Sequence, residues 1–343
     1  MSEAGGARPR RRILVTGASG KIGTAVVRNL LRSGYDVRAT TSGRHVPEGA
    51  NKSVAWIGKN FNEDIDFERE VEGCDAVIHL AAEMSDIARM QRVNVDATAM
   101  LARAAERARV KEFIYTSSVA VYGNTWSRQV TEASPTLTAE SDIRSEYAAP
   151  DALRTYGRTK LLGEMALRRT AGATNYVVLR PTVVVDTDDV LAIGNWSKLR
   201  RSLLARRHAH HVHLEDVADA VLWLLERGLA RDEPRGDVSV YNVAEDDFGI
   251  CSYEDVYREL YAMTGDTRYV VHPAPAFVDR LVGAMRTGLA ARRVPFGRMT
   301  FSSDKLRSEG YRRRCGLSEL YGSLSAAHVR SGAAHYRPVG TPS

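Results

Sequence analysis

Three glycines at three-residue spacing, set between a β-branched run and a stretch of helical periodicity, constrain this chain more than anything else in it. Residues 13 to 23 read Ile-Leu-Val-Thr-Gly17-Ala-Ser-Gly20-Lys-Ile-Gly23. In a strand–turn–helix context the first glycine permits a tight turn. The second lets backbone approach a pyrophosphate, and the third lets helix and strand pack closely. The helix start, from Ser19 through Lys21 and Ile22, then offers N–H groups and a partial positive charge to phosphate oxygens. A nucleotide-hydrolysing P-loop is excluded by spacing: its first glycine would fall on Val15, and Ile22 stands where Ser or Thr is needed.

Beyond that turn the text alternates short apolar runs with helical stretches. Strands are expected at 13–16, 35–41, 53–57, 75–80, 112–117, 175–179 and 238–243, and helices at 22–33, 94–107, 152–169 and 213–225. Such alternation implies right-handed βαβ units and a parallel sheet covered on both faces. The expected fold is therefore α/β, a Rossmann-type doubly wound parallel sheet with a smaller C-terminal substrate-binding lobe. Residues 11–180 and about 213–247 would form the dinucleotide-binding domain, and 181–212 with 248–330 the lobe over its carboxyl edge. The ends, 1–10 and 331–343, read as loosely ordered tails. The stretch 124–154 is long for a connection and has the length of a lid.

Ligands of such sheets bind at the carboxyl ends of the strands. The glycine turn, Ala81-Ala82, Ser117-Ser118 and Pro181 all fall there. On the helix that follows, Tyr156 and Lys160 stand one turn apart on one face. A phenol titrating near 10 is a poor acid–base group at neutral pH, and a neighbouring cation is expected to lower it by favouring the phenolate. With Ser118 holding a substrate oxygen, the trio Ser118, Tyr156 and Lys160 suits hydride transfer at an alcohol or ketone carbon. Lys160 would also grip the cofactor ribose, so Tyr156 and Lys160 count as cofactor contacts too.

The second strand ends Thr40-Thr41-Ser42-Gly43-Arg44, with no acid of the kind that binds the ribose hydroxyl of NAD. Thr41, Ser42 and Arg44 suit the 2′-phosphate of NADP instead, so NADP is expected over NAD. Asn60, with Phe61 beside it, is placed to meet adenine.

These residues carry a resemblance. The chain resembles the extended short-chain dehydrogenase/reductases of the NAD-dependent epimerase/dehydratase type. The matching text is Thr16 to Gly23, Asp75-Ala-Val-Ile-His-Leu-Ala-Ala82, Asn94, Tyr115-Thr-Ser-Ser-Val-Ala-Val-Tyr-Gly123, Tyr156 to Lys160, Leu179-Arg-Pro181, Val212-His-Leu-Glu-Asp-Val217 and Tyr241-Asn-Val243, with a weaker echo at 302–311. The resemblance implies that Ser118, Tyr156 and Lys160 are catalytic. It also implies that Leu80, Ala81 and Ala82 line the adenosine side, and that the backbone after Pro181, at Thr182 and Val183, meets the carboxamide. Asn94 takes a structural role, and a homodimer forms through the helices at 94–107 and 152–169.

The chain departs from the sugar-nucleotide epimerases of this family after Arg180-Pro181, where Thr-Val-Val-Val-Asp186 replaces a Val-Tyr-Gly-Pro stretch, and in the long 124–154 segment. Arg200, Arg201, Arg206 and Arg207 form either a diphosphate clamp or a plain basic helix face. His208, His210 and His211 lack carboxylates at ligand spacing, so no metal is expected. A net charge of +6 is spread along the chain without a nucleic-acid reading module. No apolar run is long enough to span a membrane, no signal peptide is visible, and Cys74, Cys251 and Cys315 are unpaired by spacing, as suits the cytoplasm. The leading expectation is an NADP(H)-dependent reductase of a ketone on a small or sugar-like substrate, or the reverse oxidation. The alternatives are a nucleotide-sugar epimerase or dehydratase that recycles NAD, and a dinucleotide-sensing regulator.

Overall fold

A computed structural model describes residues 10–43, 51–139, 146–147, 149–231, 236–278 and 293–330. Residues 1–9 and 331–343 of the expected tails, and Arg44, lie outside these described residues. Eleven strands are found among them: β1 (Arg12–Thr16), β2 (Asp36–Thr41), β3 (Val54–Gly58), β4 (Ala76–His79), β5 (Glu112–Thr116), β6 (Gln129–Val130), β7 (Asn175–Pro181), β8 (Val183–Val185), β9 (His211–His213), β10 (Val238–Val243) and β11 (Thr300–Phe301).

Seven of them form one sheet in the order β10-β7-β5-β4-β1-β2-β3. The pairs β1–β2, β2–β3, β1–β4, β4–β5 and β5–β7 are all parallel. The crossing from β1 to β4 on one side and β2 on the other makes the topological switch point at which open α/β sheets bind ligands. Strands β4, β5 and β7 are buried along their whole length, which explains why their central residues read as apolar runs rather than alternating ones. One face of the sheet, with Leu14, Val77, Phe113 and Val178, packs on Leu101, Ala104 and Ala105. The alanines of that helix, Ala97–Arg107, let backbone approach the sheet closely.

The chain divides into two compact units. The first comprises residues 1–118, 155–180 and 218–241, and the second 119–154, 181–217 and 242–343. The second has its own core, built from Val190, Ile193, Val256, Leu260, Leu317 and Leu320 among others. Two details differ from the sequence reading. The sequence reading places residues 119–154 in the dinucleotide-binding domain. They belong instead to the second unit, where β6 pairs with β11 in parallel and Tyr122 Oη donates to Asn242 Oδ1 at 2.8 Å. His213 ends β9, opposite Val185, instead of opening the helix Leu214–Leu229. Both pairings join distant residues and leave no local periodicity.

Among the described residues no helix is long and apolar enough to cross a membrane.

Candidate active site

The glycine turn is fixed by close contact. Gly17 has φ +67°, and a side chain there would sit 2.6 Å from the Ala81 nitrogen. At Gly23 a Cβ would fall 2.2 Å from the Gly17 carbonyl oxygen. Gly20 is different: a Cβ there would meet only that same oxygen, at 3.2 Å. Its missing side chain leaves open space at the start of the helix Lys21–Arg32. The first bond of that helix runs from Thr24 N to Gly20 O at 2.8 Å, so the N–H groups of its opening turn lie outside the ladder. Lys21 and Ile22 stand in that turn.

Beside it lies a cleft of about 270 Å³. The sequence-predicted Gly17, Ser19, Gly20, Ser42, Asn60, Phe61, Leu80, Ala81 and Ala82 all line it. An open cradle at Gly20 and a helix start beside this cleft fit a dinucleotide pyrophosphate. Thr41 does not line the cleft. It is buried, and its hydroxyl hydrogen-bonds the Ser19 hydroxyl at 3.0 Å. Asn60 spends its amide locally, donating to Glu63 at 2.8 Å and accepting from Asn62 N at 3.1 Å.

Sequence reasoning missed Lys59, which lines the same cleft. Its ammonium contacts Asp64 at 2.6 Å and Glu70 at 3.2 Å and sits 5.1 Å from the Phe67 ring centre. A lysine one residue past a strand end carries no local signal of burial.

The catalytic candidates assemble in the same unit. Tyr156 and Lys160 lie on the helix Asp151–Thr170, and Ser118 follows β5 by two residues. Ser118 hydrogen-bonds the Tyr156 phenol, which favours the phenolate, but burial dominates and pushes Tyr156 up to about 12. Lys160 is 1% exposed. Its Nζ donates to the Thr116 carbonyl at 2.8 Å and lies 4.7 Å from the Tyr115 ring centre and 5.9 Å from that of Tyr156. Burial lowers it to about 7, opposed by the charge of Glu164. The sequence reading expected the ammonium to lower the phenol. Lys160 instead faces the Thr116 carbonyl and a π-face, and desolvation decides the direction for both groups.

Glu164 is the second omission. It stands one turn beyond Lys160 and is fully buried. It accepts from Ser117 Oγ at 2.6 Å, Arg180 Nε at 2.9 Å and Arg180 Nη2 at 2.6 Å. One carboxylate thus joins the residue before Ser118, the Tyr156 helix and the end of β7. The spacing 156–160–164 was its only signal.

Asn94 sits in a π-helical turn, Gln91–Asp96, a distortion frequent at functional sites. Its side chain donates to Glu83 O at 2.8 Å and Thr159 Oγ1 at 3.0 Å and accepts from Glu83 N at 2.8 Å. That ties the loop after Ala82 to the Tyr156 helix. His79 is pinned between Thr16 Oγ1 at 2.6 Å and Thr98 Oγ1 at 2.9 Å. Burial, with the charge of Lys160, lowers it to about 3, so it is a neutral structural imidazole.

Pro181, Thr182 and Val183 fall in the second unit. The Thr182 and Val183 N–H groups are already donated to Val243 O at 3.0 Å and His210 O at 2.8 Å, so neither is left for a carboxamide. His210 is held by Asp246 and by the Phe296 carbonyl, both at 2.8 Å, in a structural clasp.

Comparison with known proteins follows the same lines. The sequence profile of the NAD dependent epimerase/dehydratase family matches residues 13–186. A Synechocystis protein that carries the provisional name dihydroflavonol 4-reductase is 35% identical over 114 residues, 32% of this chain and 33% of that protein. The dihydroflavonol 4-reductase of Zea mays is 26% identical over 71% of this chain and 75% of its own length. Among solved structures, a short-chain dehydrogenase/reductase superfamily protein from Agrobacterium tumefaciens with bound NAD superposes with a TM-score of 0.68 at 23% identity, covering 94% of this chain and 98% of that one. A UDP-glucose 4-epimerase superposes with a TM-score of 0.68 at 18% identity, covering 95% and 100%. At such identities the structural likeness shows the fold.

Proposed function

This chain belongs to the NAD dependent epimerase/dehydratase family of extended short-chain dehydrogenase/reductases, and from that premise we propose that it is a reductase. It would use NADP(H) to convert a ketone on a small substrate, aromatic or sugar-like, to the alcohol. One observation carries this reading: Ser118 is hydrogen-bonded to the phenol of Tyr156 in the unit that also holds the glycine cleft.

When bound, the nicotinamide supplies the hydride. The protein's own residues do the rest. Gly17, Gly20 and the helix start would seat the phosphates, and Lys160 would hold the ribose. Ser118 hydrogen-bonds the substrate oxygen. Tyr156 gives that oxygen its proton as the carbonyl becomes a hydroxyl. A phenol held near 12 is fully protonated at neutral pH, so Tyr156 rests as a proton donor, which suits reduction. The approach of a cationic cofactor would lower it and ready it for the reverse step.

The absence of an acid after β2 supports NADP(H), and the dihydroflavonol 4-reductase relatives support reduction. The second reading, a nucleotide-sugar epimerase or dehydratase with recycled NAD, draws on the matched epimerase fold. It is weakened by the altered text after Pro181. A sensor without chemistry is disfavoured by the intact trio. The second unit supplies the substrate contacts in this reading, and the protein acts as a cytoplasmic homodimer.

Purified protein given NADPH or NADH with aromatic ketones and 4-keto sugars separates the readings. Net loss of reduced-nicotinamide absorbance supports the reductase, whereas product formed without added cofactor supports the epimerase. Tyr156→Phe should keep NADPH binding within a few-fold and lower turnover by ~100-fold or more. An unchanged rate removes Tyr156 from the mechanism.

A further inference from the structure

Among its described residues, the second unit buries a charge that no carboxylate pairs. Arg201, on the helix Lys198–Leu204, is 6% exposed. Its Nε and Nη1 are both buried without a hydrogen-bond partner, and no carboxylate lies within ion-pair distance among the described residues. The acid on which its charge acts, Asp266, is instead bound to the Arg268 guanidinium at 2.8 Å. Neighbouring Arg200 is turned onto the Trp196 ring, 3.9 Å from its centre.

Apart from Asp266, the groups on which the Arg201 charge acts are aromatic, the phenols of Tyr257 and Tyr269. Tyr269 is satisfied by the Leu191 carbonyl at 2.8 Å, whereas the Tyr257 hydroxyl is buried with no partner. Tyr257 stacks on Tyr253 with ring centres 6.3 Å apart, and Tyr253 meets Trp196 at 5.4 Å. Buried ions in proteins are paired, because an unpaired one forfeits its hydration for nothing. Buried donors without acceptors mark a place where an acceptor belongs. A water molecule would satisfy the donors and leave the charge; an oxyanion satisfies both. Leu199, two positions earlier, is 70% exposed, so the helix lies at the surface.

We propose that Arg201 and Tyr257 form a binding site for a small oxyanion, a carboxylate or phosphate group, in the second unit. The ion is either free in solution or the acid group of a small organic molecule whose apolar body lies on Trp196 and Tyr253. None of these residues belongs to the unit that carries Ser118, Tyr156 and Lys160, so the site does not depend on the reaction proposed above.

The test uses the full chain in a zwitterionic buffer of low ionic strength. Inorganic phosphate, acetate and benzoate are titrated separately by calorimetry and by thermal unfolding. The parent protein should bind at least one of them saturably, one per chain, and unfold at higher temperature with it. Benzoate binding tighter than acetate identifies an organic acid, and phosphate alone identifies the free ion. Arg201→Met should weaken binding by roughly 10- to 100-fold, the scale of lost charge-assisted hydrogen bonds. Without added ion it should unfold no earlier than the parent, since it removes an uncompensated charge. Arg201→Lys keeps the charge and loses the fork, and should weaken binding by about 10-fold. Tyr257→Phe should weaken it less. No saturable binding of any probe by the parent, or equal binding by the parent and Arg201→Lys, overturns the proposal.

Discussion

Glu112 opens β5 with its carboxyl group pressed under the helix Leu214–Leu229, and replacing it with glutamine should change how the protein's stability depends on pH. A Cβ built on Gly228 would lie 2.3 Å from that carboxyl group, so the helix backbone sits directly upon it. The residue is 1% exposed, and Oε2 has no hydrogen-bond partner. Burial therefore raises it from the ordinary 4.5 to about 7, against the lowering influences of Arg231 and Asn175. The folded state holds this proton more tightly than the unfolded chain. The stability it contributes is complete below pH 4.5, falls as pH rises, and is gone above about 7. At ~1.4 kcal/mol per pH unit this amounts to about 3 kcal/mol. Glu112→Gln carries no titrating group and should lack the slope. Urea unfolding of both proteins between pH 4.5 and 8 measures it, because every other titrating group is common to the two. The variant should be near the parent in stability at pH 4.5 and ahead of it by about 3 kcal/mol at pH 8. Parallel curves across that window would refute the burial argument.

Gly17→Ala forces a side chain into a left-handed conformation and onto the Ala81 backbone. It should cost at least about 2 kcal/mol and abolish NADPH binding followed by fluorescence; normal binding would contradict the role given to the turn. Glu164→Gln leaves the Arg180 guanidinium buried with half its partner gone and should cost about 3–5 kcal/mol in thermal or urea unfolding. Adding Arg180→Met should restore much of that, and a single variant as stable as the parent would deny the network its importance. Arg44→Ala should raise the KM for NADPH by roughly 10-fold or more while leaving that for NADH nearly unchanged. Equal losses for the two cofactors would defeat the phosphate-clamp expectation.

Much of the sheet was legible because its signals are local. Ile13-Leu-Val, Ala76-Val-Ile-His and Tyr176-Val-Val-Leu read as strands because strands covered on both faces are apolar at every position. The candidate trio could be proposed from the text because the chemistry asks for particular residue types. What escaped was non-local. The pairing of Gln129–Val130 with Thr300–Phe301 draws the 124–154 segment into the second unit, and no window of sequence contains both partners. Lys59 and Glu164 look like surface residues in text, since only the folded chain brings carboxylates to one and guanidinium to the other. The phenol–ammonium relation was misjudged because proximity along a helix says nothing of desolvation, the larger effect at both groups.

Each unit is stitched from three separate stretches of chain, and the second also depends on ties such as Tyr122 to Asn242 and Glu132 to the Asn242 backbone, both at 2.8 Å. No single cut yields a portable second unit. Grafting the region after residue 241 onto another scaffold would strand its partners at 119–154 and 181–217. New selectivity in such an architecture has to arise by replacing side chains and resizing loops in place, with Ser118 left as the last residue before the chain first passes from one unit to the other.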